Sequence, residues 1–377
     1  MSQTDLSTDV IVIGAGIAGM SVAAELSKHT DVVVLERETP PGYHATGRSA
    51  AYFSPAYGNA TVRGLTELSA AFYKSPPDGF APVPLLHTRD ALHVAPQGYK
   101  AQLADAIKTI RTLNELSVQD AIATVPILEP DYVAAAAIEV GGGDLDVDAI
   151  LQGYVRQFKA NGGTLLTSAE VHEIEKHNDL FQVTCSQQRL SAQIVVNASG
   201  AWADSVATLA GIAPLNLTPK RRTAFLVPAP ENYDSQNWPL VINQSDPLYF
   251  KPDAGTLLLS PMDETSSPPC DAAPQELDVA EAIARFEAST TLRVARVTHR
   301  WAGLRTFSND DTFIVGFEPN LPGFFWLAGQ GGYGVQTAPA LSRLAAGLIC
   351  DNLGKAAHSK GQEWAFKETL APARFRP

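Results

Sequence analysis

Three glycines and one acid carry the first chemical signal. GAGIAG, Gly14 to Gly19, has GxGxxG spacing, follows the apolar run Val10 to Ile13 and opens a segment rich in Ala and Leu that ends near His29. A second apolar run, DVVVLE, ends at Glu36. Strand, glycine turn, helix, strand and terminal acid together make a dinucleotide-binding unit. Gly14 allows the tight turn, Gly16 lets a pyrophosphate approach the backbone, and Gly19 lets helix and strand pack closely. The helix N-terminus turns N–H groups and a partial positive charge towards phosphate. Glu36 can accept hydrogen bonds from a ribose diol and disfavours a ribose phosphate.

The next stretch, GYHATGRSAAYFSPAYG, does not continue as a nicotinamide-type domain would. Its small residues Ala45, Gly47, Ser49, Ala50 and Ala51 would let a flat isoalloxazine ring lie against backbone. Arg48 offers a cation to phosphate or to the ring's surroundings. This stretch, the fingerprint within the first residues and a distant third βα piece all favour FAD over NAD.

The elements that must position these residues are spread along the chain. βα pieces occur at the start, around the buried run Ile194 to Asn197, and at FFWLAGQGGYGVQTAPALSRLAAGLI. Strand-rich segments lie between them, from Asn216 to Leu259 above all. Further helices are expected over TVRGLTELSAAFY, Lys100 to Leu116, from about Asp148 with Asp146 or Asp148 near the cap, and Val279 to Phe286. LLHTRDALHVA reads as a strand, and Ser266 to Pro274 as a proline-rich loop. The expected fold class is α/β with an α+β second domain: a Rossmann-like FAD-binding domain with an inserted substrate domain on a mixed or antiparallel sheet. The expected division assigns 1–80, 140–212 and 312–377 to the first and 81–139 and 213–311 to the second.

At 377 residues the chain is too long for one ordinary core. Its 45% hydrophobic and 18% charged residues are a globular composition, and a net charge of −12 argues against nucleic acid. Cys185, Cys270 and Cys350 are widely spaced, so neither disulfides nor a metal site is expected. MSQTDLSTDV lacks a basic region and a long apolar run. No signal peptide, no membrane insertion and a cytoplasmic location are therefore expected.

The chain resembles the FAD-dependent D-amino-acid oxidase and dehydrogenase superfamily, which includes glycine and sarcosine oxidases, and within it the catabolic D-arginine dehydrogenases. The resemblance rests on VIGAGIAGMS with VVVLERE, PGYHATGRSAAYFSPAYG, GGGDLDVDAILQGY, VVNASGAWAD, PKRRTAF, LYFKPDAG, THRWAGLRTF and GQGGYGVQT, in order from Val10 to Thr337. It implies non-covalent FAD and oxidation of a small-molecule amino acid, with hydride passing from Cα to flavin N5. The imino acid is then hydrolysed to a 2-oxo acid and ammonia, and a quinone or oxygen takes the electrons.

Residue by residue, the resemblance implies cofactor contacts at Ile17, Ala18, Glu36, Arg37, Ala45, Thr46, Gly47, Arg48, Ser49, Ala50, Ala51 and Tyr52. It adds Val171, Ala198, Gly200, Gly303, Gly331, Gly332, Tyr333, Gly334, Val335 and Gln336. Catalytic and substrate roles fall to Tyr57, Arg222, Tyr249 and Arg305, with Gly332 and Gln336 nearby. A carboxylate suits a planar bidentate cation. On a strand only one of Arg221 and Arg222 should face the site, and the resemblance selects Arg222. Tyr57, on a loop, is expected to act as a mobile lid. The Gly331–Gln336 turn would aim N–H groups at flavin N1 and O2.

Members suited to arginine and lysine carry an acid where this chain has Ala91, and Asp90 should face away. The remaining pocket wall is expected from Tyr52, Ser54, Leu240 and Ile242. A preference for neutral, hydrophobic or aromatic D-amino acids follows. His44, His87 and His93 are bases by type only and are read as structural or surface residues. Oxidation of glycine, sarcosine or another secondary amine stays open, as do a 2-hydroxy-acid dehydrogenase and a non-catalytic dinucleotide-binding protein.

Overall fold

The computed structural model describes residues 6–243, 245–355 and 360–376. Residues 1–5, on which the expectation of no signal peptide partly rests, lie outside the described residues. Two eight-stranded sheets organise what is described, with a three-stranded sheet of Tyr52–Phe53, Gly143–Leu145 and Leu86–Thr88 beside them.

The first sheet has a parallel centre. Leu6–Ile13 lies between Val32–Leu35 and Arg189–Asn197, with Thr164–Leu166 and Phe324–Ala328 outside them. Val10, Ile11 and Val12 are fully buried, as a strand covered on both faces requires. On one face pack the helices Ile17–Leu26, Val147–Ala160 and Gly334–Asn352. Asp146 caps the second of these, accepting from the Ala149 N–H at 2.8 Å. The carboxyl ends of three neighbouring parallel strands, at Ile13, Leu35 and Asn197, open onto one crevice. In an open α/β sheet this is where ligands bind.

The second sheet runs His299–Phe307, Thr218–Pro228, Thr256–Ser260, Leu248–Asp253, Leu240–Asn243, Ala91–Ala95, Ala135–Glu139, Leu113–Leu116. It is mixed, because Leu240–Asn243 and Ala91–Ala95 pair in parallel while their neighbours are antiparallel. Side chains alternate between two very different surroundings. Phe225, Phe250, Leu257 and Leu259 enter a core closed by the helix Glu276–Ser289, where Phe286 is buried. Arg222, Ile242, Tyr249 and His93 face the other way, into the crevice.

One element differs from its sequence pattern. Lys100 to Leu116 is not one helix: the helix ends at Thr109, and Leu113–Leu116 forms the sheet's edge. Pairing of this segment with Ala135–Glu139 overrides its helical periodicity. Among the described residues no helix is long and apolar enough to cross a membrane.

Candidate active site

A cavity of about 1070 Å³ runs from the first glycine turn to the second sheet. At its first end the turn is built for close approach. Gly14 has φ +103°, and a Cβ there would stand 2.6 Å from the Ala198 carbonyl oxygen. A Cβ on Gly19 would stand 1.8 Å from the Gly14 oxygen, so Gly19 serves helix packing and does not line the cavity. Gly16 is different: its Cβ would meet only Thr46 Oγ1, at 3.2 Å. The constraint at Gly16 therefore lies on the cavity side. Glu36 is buried and accepts from the Ala15 N–H at 2.7 Å and the Glu38 N–H at 2.9 Å. Thr46 Oγ1 accepts the Ile17 N–H at 3.0 Å, tying the small-residue stretch to the helix start.

From there the wall continues through Ala18, Arg37, Ala45, Ser49, Ala50, Ala51, Val171, Ala198 and Gly200. Gly303 and the turn Gly331, Gly332, Tyr333, Gly334 and Val335 close the far side. That turn opens the helix Gly334–Asn352. A narrow crevice lined by glycine and alanine, with a helix N-terminus and a buried acid at one end, fits a flavin dinucleotide. Its adenosine end would lie by Glu36 and its ring by Ala45–Tyr52 and Gly331–Val335.

At the second-sheet end two guanidinium groups converge. Arg222 Nε donates to the Asp263 carbonyl at 3.0 Å and its Nη2 to Glu264 Oε1 at 3.2 Å. Arg305 donates from Nη2 to the same oxygen at 3.0 Å and from Nη1 to the Tyr57 hydroxyl at 3.0 Å. Arg305 Nε is buried with no partner among the described residues. Burial, and then the neighbouring Arg305, lower the pKa of Arg222 from its ordinary value. Burial raises that of the Tyr249 phenol despite Arg222, so its hydroxyl keeps its proton. Arg221 points the opposite way, to Asp278 at 2.7 Å and Asp263 at 3.5 Å. Strand alternation thus separates the adjacent arginines. Gly332 makes the cluster possible, since a Cβ there would stand 2.9 Å from both Arg305 Nη1 and the Tyr57 hydroxyl.

Several residues lie elsewhere than their sequence context implied. Arg48 lines the cavity, but its guanidinium is engaged by protein groups: it pairs with Asp271, donates to the Ala272 and Ala302 carbonyls at 2.9 and 3.1 Å, and stacks on Tyr43. It anchors the small-residue stretch to the second-sheet region. Gly47 is not in the wall, because its backbone closes a turn onto Gly42 at 2.7 Å. Gln336 is buried behind the wall, donating to Thr66 Oγ1 at 2.8 Å and accepting the Ser54 N–H at 3.1 Å. Ala91 is sealed within the sheet and lines nothing.

The strand beside Ala91 supplies what the sequence did not reveal. Glu139 stands in register with Ala91 and is fully buried, yet lines the cavity. Its Oε1 accepts from Ser54 Oγ at 2.6 Å and the Ala56 N–H at 2.9 Å, and its Oε2 faces His93 Nε2 at 3.1 Å. His93 is therefore no surface histidine. His87 is exposed, and His44 pairs with Glu38 at 2.9 Å near the cofactor end. Tyr52 and Ser54 line the cavity with Leu240 and Ile242. The Tyr52 hydroxyl donates to the Arg89 carbonyl at 2.6 Å, and burial, then Glu139, hold its pKa well above the ordinary value.

Residues 9–348 match the model of a family described as FAD dependent oxidoreductase. The chain is 24% identical to FAD-dependent oxidoreductase domain-containing protein 1 of Xenopus laevis, over 91% of this chain and 79% of that protein. It is also 24% identical to glycine oxidase of Pseudomonas aeruginosa, over 91% of this chain and 95% of that one. Among solved structures, L-proline dehydrogenase from P. horikoshii superposes with a TM-score of 0.81 at 21% identity, covering 97% of this chain and 100% of the other. The last likeness is one of fold.

Proposed function

The chain belongs to the family of FAD-dependent oxidoreductases, and from that premise we propose that it oxidatively deaminates D-amino acids, with neutral hydrophobic or aromatic side chains preferred. The observation that carries this reading is the convergence of Arg222, Arg305, Tyr57 and Tyr249 at one end of the cavity, beside the Gly331–Val335 turn. Two partly buried cations with planar donor forks and two hydroxyl groups are a receptor for one carboxylate. The chemistry that bound FAD supplies is acceptance of the α-hydrogen as hydride at N5, which leaves an imino acid for water to hydrolyse to a 2-oxo acid and ammonia.

The side chains orient the reacting atom. Arg222 and Arg305 fix the carboxylate from the second sheet, and the Tyr249 hydroxyl remains a neutral donor because burial keeps it protonated. Tyr57, on a turn and hydrogen-bonded to Arg305, acts as the gate over this end. The Gly331 and Tyr333 N–H groups donate to the Thr306 and Gln330 carbonyls at 2.8 and 3.0 Å, and the N-terminus of the helix Gly334–Asn352 would favour negative charge developing on a bound flavin. The amine loses its proton to solvent before hydride departs.

The side-chain preference rests on Glu139 and not on the lack of an acid. Glu139 already has three donors around it, so a cationic head group would have to displace them to gain a partner. A second reading, oxidation of glycine or a secondary amine, draws on the likeness to glycine oxidase. The cavity's extension past Ile242 to Leu103 and Ile110 gives room that glycine would leave unused. Steady-state kinetics on D-amino acids, L-amino acids, glycine and sarcosine test the choice. The expected order of kcat/KM places bulky neutral D-amino acids first, and sarcosine or D-arginine first would overturn it.

A further inference from the structure

Resting on the carboxylate receptor proposed above, we infer that His93, held by Glu139, is a specificity-determining residue that reads a hydrogen-bond donor at the far end of the substrate side chain. His93 is directly opposite Ile242, and Ile242 is directly opposite Tyr249. In-register neighbours share a sheet face, and all three line the cavity. His93 therefore lies two strand spacings from Tyr249, about 10 Å. That is the span of an aromatic side chain bearing a polar group at its tip.

The tautomer of the neutral ring follows from its partner. Glu139 Oε1 is occupied by the Ser54 hydroxyl and the Ala56 N–H, and Oε2 faces Nε2 of His93. An ionised carboxylate only accepts, so Nε2 carries the proton. In the neutral ring Nδ1 is then an acceptor, and it has no partner among the described residues. The nearby polar side chains Tyr52 and Lys251 are committed to the Arg89 carbonyl and to Asp144. Most of the wall of this arm is apolar, from Ile242, Leu113, and Leu103 and Ala106 of the helix Lys100–Thr109, with the exposed Tyr99 and Gln102 and with Ser245 as its other polar members. An apolar arm with one fixed acceptor selects a phenol or an indole N–H over a purely hydrocarbon ring.

The test uses the FAD-loaded protein and two ligands that cannot be deaminated: hydrocinnamate and its para-hydroxy derivative, the skeletons of phenylalanine and tyrosine without the amine. Their dissociation constants are read from the flavin's visible spectrum in mildly alkaline buffer. The hydroxylated ligand is expected to bind about three- to tenfold more tightly, the worth of one hydrogen bond. In His93→Leu the ratio should fall to about one. Glu139→Gln keeps the imidazole but removes the group that fixes its proton, and it too should lose most of the ratio; circular dichroism checks that both variants fold. Equal binding of the two ligands by the unaltered protein, or a ratio that survives His93→Leu, would overturn the inference while leaving the carboxylate receptor standing. Binding of neither ligand would overturn both.

Discussion

Arg222 and Arg305 reach the same oxygen, Oε1 of Glu264, at 3.2 and 3.0 Å. Their strands are adjacent, with Arg222 opposite Gly303 and Arg305 opposite Lys220. One carboxylate oxygen already takes a donor from each fork, on a side chain that is about half exposed. A substrate carboxylate entering this place competes with it. Glu264→Gln is therefore expected to lower KM about three- to tenfold, the scale of a partly solvated ion pair. An unchanged or raised KM would show that Glu264 instead orients the arginines for substrate.

Removing either arginine should cost more than removing the tyrosine that meets one of them. Arg222→Ala and Arg305→Ala are each expected to weaken substrate by about 2–5 kcal/mol, chiefly in KM. Tyr57→Phe removes a single acceptor from Arg305 and should cost about 1 kcal/mol. Steady-state kinetics on one D-amino acid give all three values. Arginine variants with unaltered KM and kcat would remove both residues from the site.

The glycines of the first turn separate folding from cofactor binding. Alanine at Gly16 meets only Thr46 Oγ1, so Gly16→Ala should keep its melting temperature without cofactor while losing FAD affinity. Alanine at Gly19 meets the Gly14 backbone, so Gly19→Ala should lower the melting temperature itself. Melting curves and flavin content after dialysis distinguish the two. Equal behaviour of both variants would refute the division.

Far from the site, Glu318 makes stability depend on acid. Burial alone would raise its pKa, but the Arg376 guanidinium and the Trp326 indole N–H outweigh this and hold it below the usual 4.5. A depressed carboxyl stabilises the folded state fully above its unfolded pKa and loses that contribution as pH falls through the folded value. Glu318→Gln should therefore destabilise at neutral pH, by about 3–5 kcal/mol for a broken buried pair. The difference from the unaltered protein should shrink below about pH 4. Urea denaturation at several pH values measures this, and a difference independent of pH would contradict it.

What was legible in the sequence follows from how far apart the interacting residues lie. Gly14, Gly16, Gly19 and Glu36 act through fixed local spacing, so their turn and strand could be read directly. Arg221 and Arg222 separate by strand alternation, which is also local. Glu139 and His93 meet because two strands pair in a particular register, and no pattern within either strand reveals that. Ala91 and Gln336 fail for the complementary reason: strand position alone does not show that a neighbour covers the side chain. Arg48 finds its partners more than 220 positions away, in a loop without periodicity. The segment Leu113–Leu116 became a strand because an edge was there to pair with.

The proposed function rests on hydride transfer from D-amino acids to the flavin. Anaerobic mixing of the FAD-loaded protein with D- and L-tyrosine, D- and L-phenylalanine, glycine and sarcosine tests it most directly, with the flavin's visible absorbance followed in time. The D-isomers are expected to bleach the flavin and their L-isomers to leave it oxidised. Bleaching by sarcosine or an L-amino acid faster than by any D-amino acid, or by none of them, would contradict it.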